Sequence, residues 1–350
     1  MPWTKIEAVK KKTAPSERDG AGQRRGTYRE AILEATRCAM ESDESVFVLG
    51  EGVDDVGGVF GTTKGLVDIF GAERIIDTPL AENGITGVAL GAALAGMRPL
   101  LVHMRVDFLP LSLDQIANHA AKWSYMFGGK VSVPLTIRAI TGRGWGSAAQ
   151  HSQSLQAVFA HFPGLKVVMP ATPYDAKGLL IESLFDNNPV LFLEHRWLYD
   201  IEGELPEQMY RVPIGKANIS REGSDVTIVA ISQMAAMALE AAEELSRKNI
   251  DCEVIDLRSI RPLDSELICK SVQKTGRLVV ADTAWKDFGV SAEIVALVME
   301  DSASFGAMKA PAARVALPAV PTPASHVLEK LYYPGPDDIS EAVLKIMNEA

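Results

Sequence analysis

The sequence predicts an α/β protein of two open, mostly parallel sheets, and three observations carry that prediction. Short apolar runs alternate with helical patterns along most of the 350 residues, as crossover units between parallel strands require. The alternation breaks near residues 201–213 into Gly, Pro and acidic residues and then resumes, which divides the chain in two. Length agrees, because one core of this size is uncommon. Finally, residues 77–84 (Asp-Thr-Pro-Leu-Ala-Glu-Asn-Gly) put carboxylates where an apolar run gives way to a Gly- and Ala-rich stretch. Parallel α/β sheets bind their ligands at that edge.

The first 25 residues are polar and basic and lack an apolar signal core, while Glu7, Glu17 and Asp19 argue against a transit peptide. They read as a mobile tail or an arm lying on a partner. Order is expected from Thr27, which with Glu30 makes a capping box. Ala31, Ile32, Ala35, Ala39 and Met40 then mark one helical face. Strand-like runs follow at 46–50, 75–80, 100–104, 135–140, 165–169 and 190–193. Helical patterns between them include 112–127, with Ser112 and Gln115 in capping-box spacing, and 173–185, with Thr172 set to cap and Pro173 in the first helical position. Beyond the break, strands are expected at 226–231, 252–257, 278–281 and 315–317, and helices at 234–247, 265–273 and 290–300. The expected division is a tail to residue 25, a first domain over 26–202, a linker over 203–215 and a smaller domain over 216–350. Residues 84–96 carry four glycines, each costing ~1 kcal/mol relative to Ala inside a helix. Close approach of another backbone is the expected compensation, either the sheet beneath or a helix of another subunit, and the two are compatible.

Composition narrows the function. With 47% hydrophobic and 23% charged residues the chain can bury substantial cores. A net charge of -10 and a pI near 5.2 argue against nucleic acid as the main partner. No apolar run approaches the ~20 residues of a membrane helix. Cys38, Cys252 and Cys269 lie far apart without Cys-x-x-Cys spacing, which fits a reducing compartment and gives no zinc signature. A soluble, cytoplasmic protein is expected.

Loops leaving the expected strands carry Glu51, Phe108 and His151, and Glu82 lies in the 77–84 segment. Singly each has an ordinary reading. Glu82 is a helix-start carboxylate favoured by ~0.3–1 kcal/mol, Glu51 a turn acid, Phe108 a core ring, His151 a structural imidazole. Over one edge of one sheet they become more, because paired acids hold and move protons and a histidine after a glycine-marked loop is a proton donor candidate. The set suits a bound organic cofactor better than a hydrolytic triad. Ser154 lacks the Gly-x-Ser-x-Gly elbow, and Gly142, Gly144 and Gly146 miss the Gly-x-Gly-x-x-Gly spacing of a dinucleotide fold.

Longer segments carry a resemblance. Arg74-Ile75-Ile76-Asp77-Thr78-Pro79, Gln150-His151-Ser152-Gln153-Ser154, Asp186-Asn187-Asn188-Pro189-Val190 and Ile255-Asp256-Leu257-Arg258-Ser259-Ile260-Arg261-Pro262 are among them. They closely resemble the beta subunit of the thiamine-diphosphate-dependent 2-oxo acid dehydrogenases, nearest the pyruvate and acetoin dehydrogenase branch. The resemblance runs from about Thr27 to the C-terminus. It implies a transketolase-like pyrimidine-binding domain, then a transketolase C-terminal-like domain. It also implies a heterotetramer of two alpha and two beta chains serving a lipoyl acyltransferase core. In such enzymes the alpha chain holds magnesium and the diphosphate through a Gly-Asp-Gly motif, which this sequence lacks.

By position, the resemblance implies that Glu82 bonds the aminopyrimidine nitrogen of thiamine diphosphate and so activates the thiazolium carbon. Phe108 would pack on the aminopyrimidine, Glu51 would belong to a proton relay, and His151 would meet the substrate or the dihydrolipoyl product. A potassium ion would be held mainly by backbone oxygens of Leu135, Ser183, Asp186 and Asn188. The implied activity is that of an oxidoreductase, decarboxylating a 2-oxo acid or cleaving acetoin with acyl transfer to a lipoyl group. A split transketolase-type ketol transferase and a non-catalytic scaffold relative are its rivals. The sequence departs from the common pattern at His103-Met104-Arg105-Val106-Asp107-Phe108. Arg105 and Asp107 share a face if the strand continues and would then pair locally. Otherwise Arg105 faces an acidic or polyhydroxylated substrate, with Trp145 shaping the same pocket.

Overall fold

The computed structural model describes residues 24–142 and 146–348. Tyr28–Ser42 forms the first helix, and Thr27 and Glu30 close the expected capping box around its start. Six parallel strands follow in the first half: Val46–Gly50, Ile75–Asp77, Arg98–His103, Thr136–Thr141, Lys166–Val168 and Val190–His195. Alternate residues supply two different cores, as sheets covered on both faces require. Val46, Val48, Leu100 and Val102 pack under helices Tyr28–Ser42 and Pro173–Leu184. Phe47, Leu49 and Leu101 pack on the opposite side with helix Glu82–Leu94.

A seventh strand completes this sheet from the other half of the chain. Ser259–Arg261 pairs antiparallel with Lys166–Val168 at the sheet's rim. The second sheet has five strands in the order Ala313–Leu317, Leu278–Trp285, Val226–Ala230, Cys252–Asp256, Asn218–Arg221, all parallel except the last. One apolar cluster runs through both sheets, with Leu191 and Leu193 of the first joined to Val229, Ile255 and Val280 of the second. Among the described residues no helix is long and apolar enough to cross a membrane.

Several elements differ from expectation. The strand expected over 75–80 ends at Asp77, and the Thr78 N–H gives it a last cross-strand bond to the Gly50 carbonyl at 3.2 Å before Pro79. The helix expected over 112–127 is three pieces: a 3-10 segment Val106–Ser112, a π-type turn Gln115–Ala120 and a short α-helix Ala121–Met126. Its expected cap fails because Ser112 is the last residue of the 3-10 segment rather than the residue before a helix, and its hydroxyl accepts from Thr86 Oγ1 at 2.9 Å. Glu202–Glu204, which runs from the end of the expected first domain into the expected linker, pairs with Arg25–Thr27. The glycine-rich helix is not explained by the sheet beneath it. A Cβ at Gly84 or Gly91 would meet nothing within 4 Å, and Val88 between them is 60% exposed.

Candidate active site

Because the strands are parallel, their C-terminal ends share one edge, and the expected side chains gather there. Glu51 follows Val46–Gly50, Glu82 opens the helix after Ile75–Asp77, Phe108 follows Arg98–His103 and His151 follows Thr136–Thr141. Gly50 makes the first of these turns, with φ +153°; a Cβ there would lie 2.2 Å from the Val102 carbonyl oxygen. Only glycine lets the chain leave the strand so close to its neighbour.

Electrostatics ties the acids together. Burial pushes the Glu51 carboxyl up, and the nearby carboxylates of Glu82 and Asp77 push it further. Asp77 is a further acid of the site that no motif singles out; its Oδ1 accepts the Gly52 N–H at 2.7 Å and so fixes the Glu51 turn. Three carboxylates crowded at one edge repel one another and favour a proton, or a ligand rich in hydrogen-bond donors.

Phe108 and His151 meet edge to face, ring centroids 5.2 Å apart. The segment bearing Phe108 is not a continuing strand, which removes the local Arg105–Asp107 pair. Asp107 Oδ1 instead accepts the Gln153 backbone N–H at 3.0 Å, and among the described residues Arg105 acts on this carboxylate only through space. Burial raises the Asp107 carboxyl, and its Oδ2 is buried without a partner. Under the site His103 is buried and held neutral, its pKa lowered by burial to about 4. Trp145 lies outside the described residues.

Leu135, Ser183, Asp186 and Asn188 come together at the opposite edge, where Thr136–Thr141 and Val190–His195 begin. The Leu135 carbonyl accepts from Val190 N at 3.0 Å, and the Ser183 carbonyl from Thr136 Oγ1 at 2.9 Å. Arg98 donates to the Asp186 carbonyl at 3.1 Å. Burial pushes the Asp186 carboxyl up, but bonds from Lys166 and Asn188 outweigh it and hold it below its ordinary range. These oxygens thus already accept hydrogen bonds within the chain, those of Asp186 from the cationic side chains of Arg98 and Lys166. Among the described residues no cluster of three or more His, Cys, Asp or Glu could hold a metal ion.

Comparison with known proteins accords with this geometry. The family profile for the transketolase pyrimidine-binding domain matches residues 25–201, and that for the transketolase C-terminal domain matches residues 215–339. The beta subunit of acetoin:2,6-dichlorophenolindophenol oxidoreductase from Bacillus subtilis is 46% identical, covering 91% of this chain and 96% of its own. The Cupriavidus necator protein of the same name is 48% identical over the same shares. The mitochondrial pyruvate dehydrogenase E1 component subunit beta of Bos taurus is 46% identical, covering 92% of this chain and 90% of its own. Among solved structures, a split gene transketolase described as an inactive beta4 tetramer superposes with TM-score 0.75. It covers 93% of this chain and 99% of its own at 23% identity, a likeness of fold.

Proposed function

We propose, for a chain that belongs to the family of transketolase-like beta subunits of pyruvate and acetoin dehydrogenases, that it supplies the pyrimidine-facing half of a thiamine diphosphate site. The observation that carries this reading is the crowding of Glu51, Asp77 and Glu82 at the edge where Phe108 and His151 also meet. Unbalanced carboxylates beside a flat ring match an aminopyrimidine, which offers N–H donors and an aromatic face. They do not match a diphosphate, which they would repel.

Bound thiamine diphosphate supplies a carbon nucleophile and an electron sink for cleavage beside a carbonyl. In this reading Glu82 shares a proton with the aminopyrimidine, and Glu51, with its raised affinity for protons, is the reservoir behind it. Phe108 offers its face to the ring. His151, exposed on its loop, gives or takes a proton at the substrate or the dihydrolipoyl product. The overall reaction is oxidative decarboxylation of a 2-oxo acid, or cleavage of an acetoin-like ketol, with acyl transfer to a lipoyl group.

An alpha subunit would complete the site with magnesium and the diphosphate cradle, in a heterotetramer serving a lipoyl acyltransferase core. The open face of Gly84, Val88 and Gly91 suits a helix of such a partner. Backbone oxygens of Leu135, Ser183 and Asp186, with Asn188, would hold potassium as a structural ion. Three unpaired cysteines suit a cytoplasmic setting. The ketol transferase reading rests on fold alone. Reconstitution with the companion chain tests the proposal: calorimetric uptake of thiamine diphosphate and dye reduction are expected, and Glu82→Gln with both unchanged would refute it.

A further inference from the structure

We propose that Arg105 anchors a second anionic group of the substrate, carboxylate or phosphate, remote from the carbonyl at which the bond breaks. The inference rests on the reading of the Glu82–His151 edge as the reaction site. It narrows the substrate class from any 2-oxo acid or ketol to one with an additional negative charge.

The strand Arg98–His103 ends two residues before Arg105, which is itself extended at φ -147° and ψ 137°. The chain at Arg105 therefore leaves the sheet at the edge from which the segments bearing Glu51, Phe108 and His151 also leave. Among the described residues its guanidinium makes one hydrogen bond, a long one from Nη1 to the Gly142 carbonyl at 3.4 Å. Gly142 is the turn from Thr136–Thr141 into the His151 loop, and its N–H donates to the Gln153 carbonyl at 2.9 Å. Its φ is +77°, and a Cβ there would lie 2.2 Å from the His195 ring. Arg105 is thus held beside the loop that carries the proton donor, with its remaining donors unspent.

Among the described residues Asp107 is the one carboxylate whose charge bears on Arg105, and it acts through space rather than through a hydrogen bond. Asp107, two residues on, is turned toward Gln153. A second cation shares the edge. Arg196, just past Val190–His195, stacks on Phe60 at 4.5 Å, and burial together with the charges of Arg29 and Arg105 lowers its pKa against the pull of Asp200. Burial likewise lowers that of Arg105, and Asp107 only partly offsets it.

A half-buried guanidinium has given up hydration, and without a carboxylate it recovers little. An arriving anion restores the balance through a two-pronged bond, for which the flat guanidinium is shaped and a lysine is not. In that reading His151 serves the reacting carbonyl, and the contact that holds Arg105 is to Gly142 rather than to His151, so the group assigned to Arg105 is a further one.

The test uses the alpha–beta complex loaded with thiamine diphosphate and magnesium, assayed by dye reduction on matched pairs. Pyruvate is set against 2-oxoglutarate, and acetoin against a phosphorylated ketol. We expect the wild type to favour at least one more highly charged member by tenfold or more in kcat/KM. Arg105→Ala should cut that preference at least 30-fold, chiefly through KM, and Arg105→Lys should restore part of it. Glutarate and inorganic phosphate should inhibit the wild type competitively and lose potency in Arg105→Ala. Should Arg105→Ala fail to fold, the wild-type preference and Arg105→Lys still decide. A wild type that favours the less charged member of both pairs, or equal scaling of both members by substitution, overturns the inference. Calorimetry separates the two levels: a complex that takes up no cofactor contradicts the proposed function, whereas uptake and turnover without charge preference contradict Arg105 alone.

Discussion

The Asp107 carboxylate accepts the backbone N–H of Gln153 at 3.0 Å, and this bond ties the segment bearing Phe108 to the loop bearing His151. Two loops that leave neighbouring strands are thereby held at one spacing. The edge-to-face contact of Phe108 and His151 follows from that tie.

Glu82→Gln keeps size and polarity but removes the charge that shares a proton. Turnover of the reconstituted complex should fall by ~10²–10⁴-fold. The circular dichroism spectrum should not change, because Glu82 lies at a helix start and is not packed in a core.

His151→Ala should impair chemistry more than folding. The side chain is exposed, so its loss leaves no cavity. A drop of ~10²–10³-fold in kcat is expected from losing a donor at a developing charge. Thermal melts of the variant and wild type should coincide.

Arg138 and Glu194 form an ion pair of 2.7 Å with both side chains wholly buried, and Arg138 also donates to Thr62 Oγ1 at 2.8 Å. Arg138→Met alone should cost ~3–5 kcal/mol, since it strands a buried carboxylate. Combining it with Glu194→Leu should recover most of the loss, because paired buried charges contribute little net stability. Urea unfolding of the three variants measures both terms.

The pH response should have a contribution from Asp256. Burial first, and the Asp175 carboxylate second, push its carboxyl up to about 7. A raised folded pKa gives stability that is whole below the unfolded value of ~3.9 and is lost as pH rises through the folded one. Asp256→Asn mimics the protonated acid and can still accept the Arg258 N–H, now at 3.2 Å. The variant's melting temperature should therefore gain on the wild type as pH climbs from ~4 to ~7 and hold that margin above. A gap that narrows over this range would contradict the assignment.

Much of this architecture can be read from residues, and the failures have physical causes. The Thr27–Glu30 and Thr172–Pro173 helix starts are local, since each depends on atoms within three residues. The gathering of Glu51, Glu82, Phe108 and His151 is nonlocal but follows from strand direction alone, which crossover connections dictate. The broken helix at 106–126 escapes notice because apolar spacing looks alike in tight, regular and wide turns. Ser259–Arg261 is too short to signal a strand and joins a sheet whose own strands ended far upstream. Asp107 looks like a partner for Arg105 in sequence, and only the distant Gln153 reveals otherwise.

That borrowed rim strand has a consequence for how the polypeptide can be made and divided. The ribosome must release most of the chain before the first sheet acquires its last ribbon, so the early half waits incomplete during synthesis. A fragment ending in the 203–215 stretch would leave the outer backbone of Lys166–Val168 unsatisfied and adhesive. Supplying the missing half in trans would then act as a staple, and the two pieces should be recovered from solution only together.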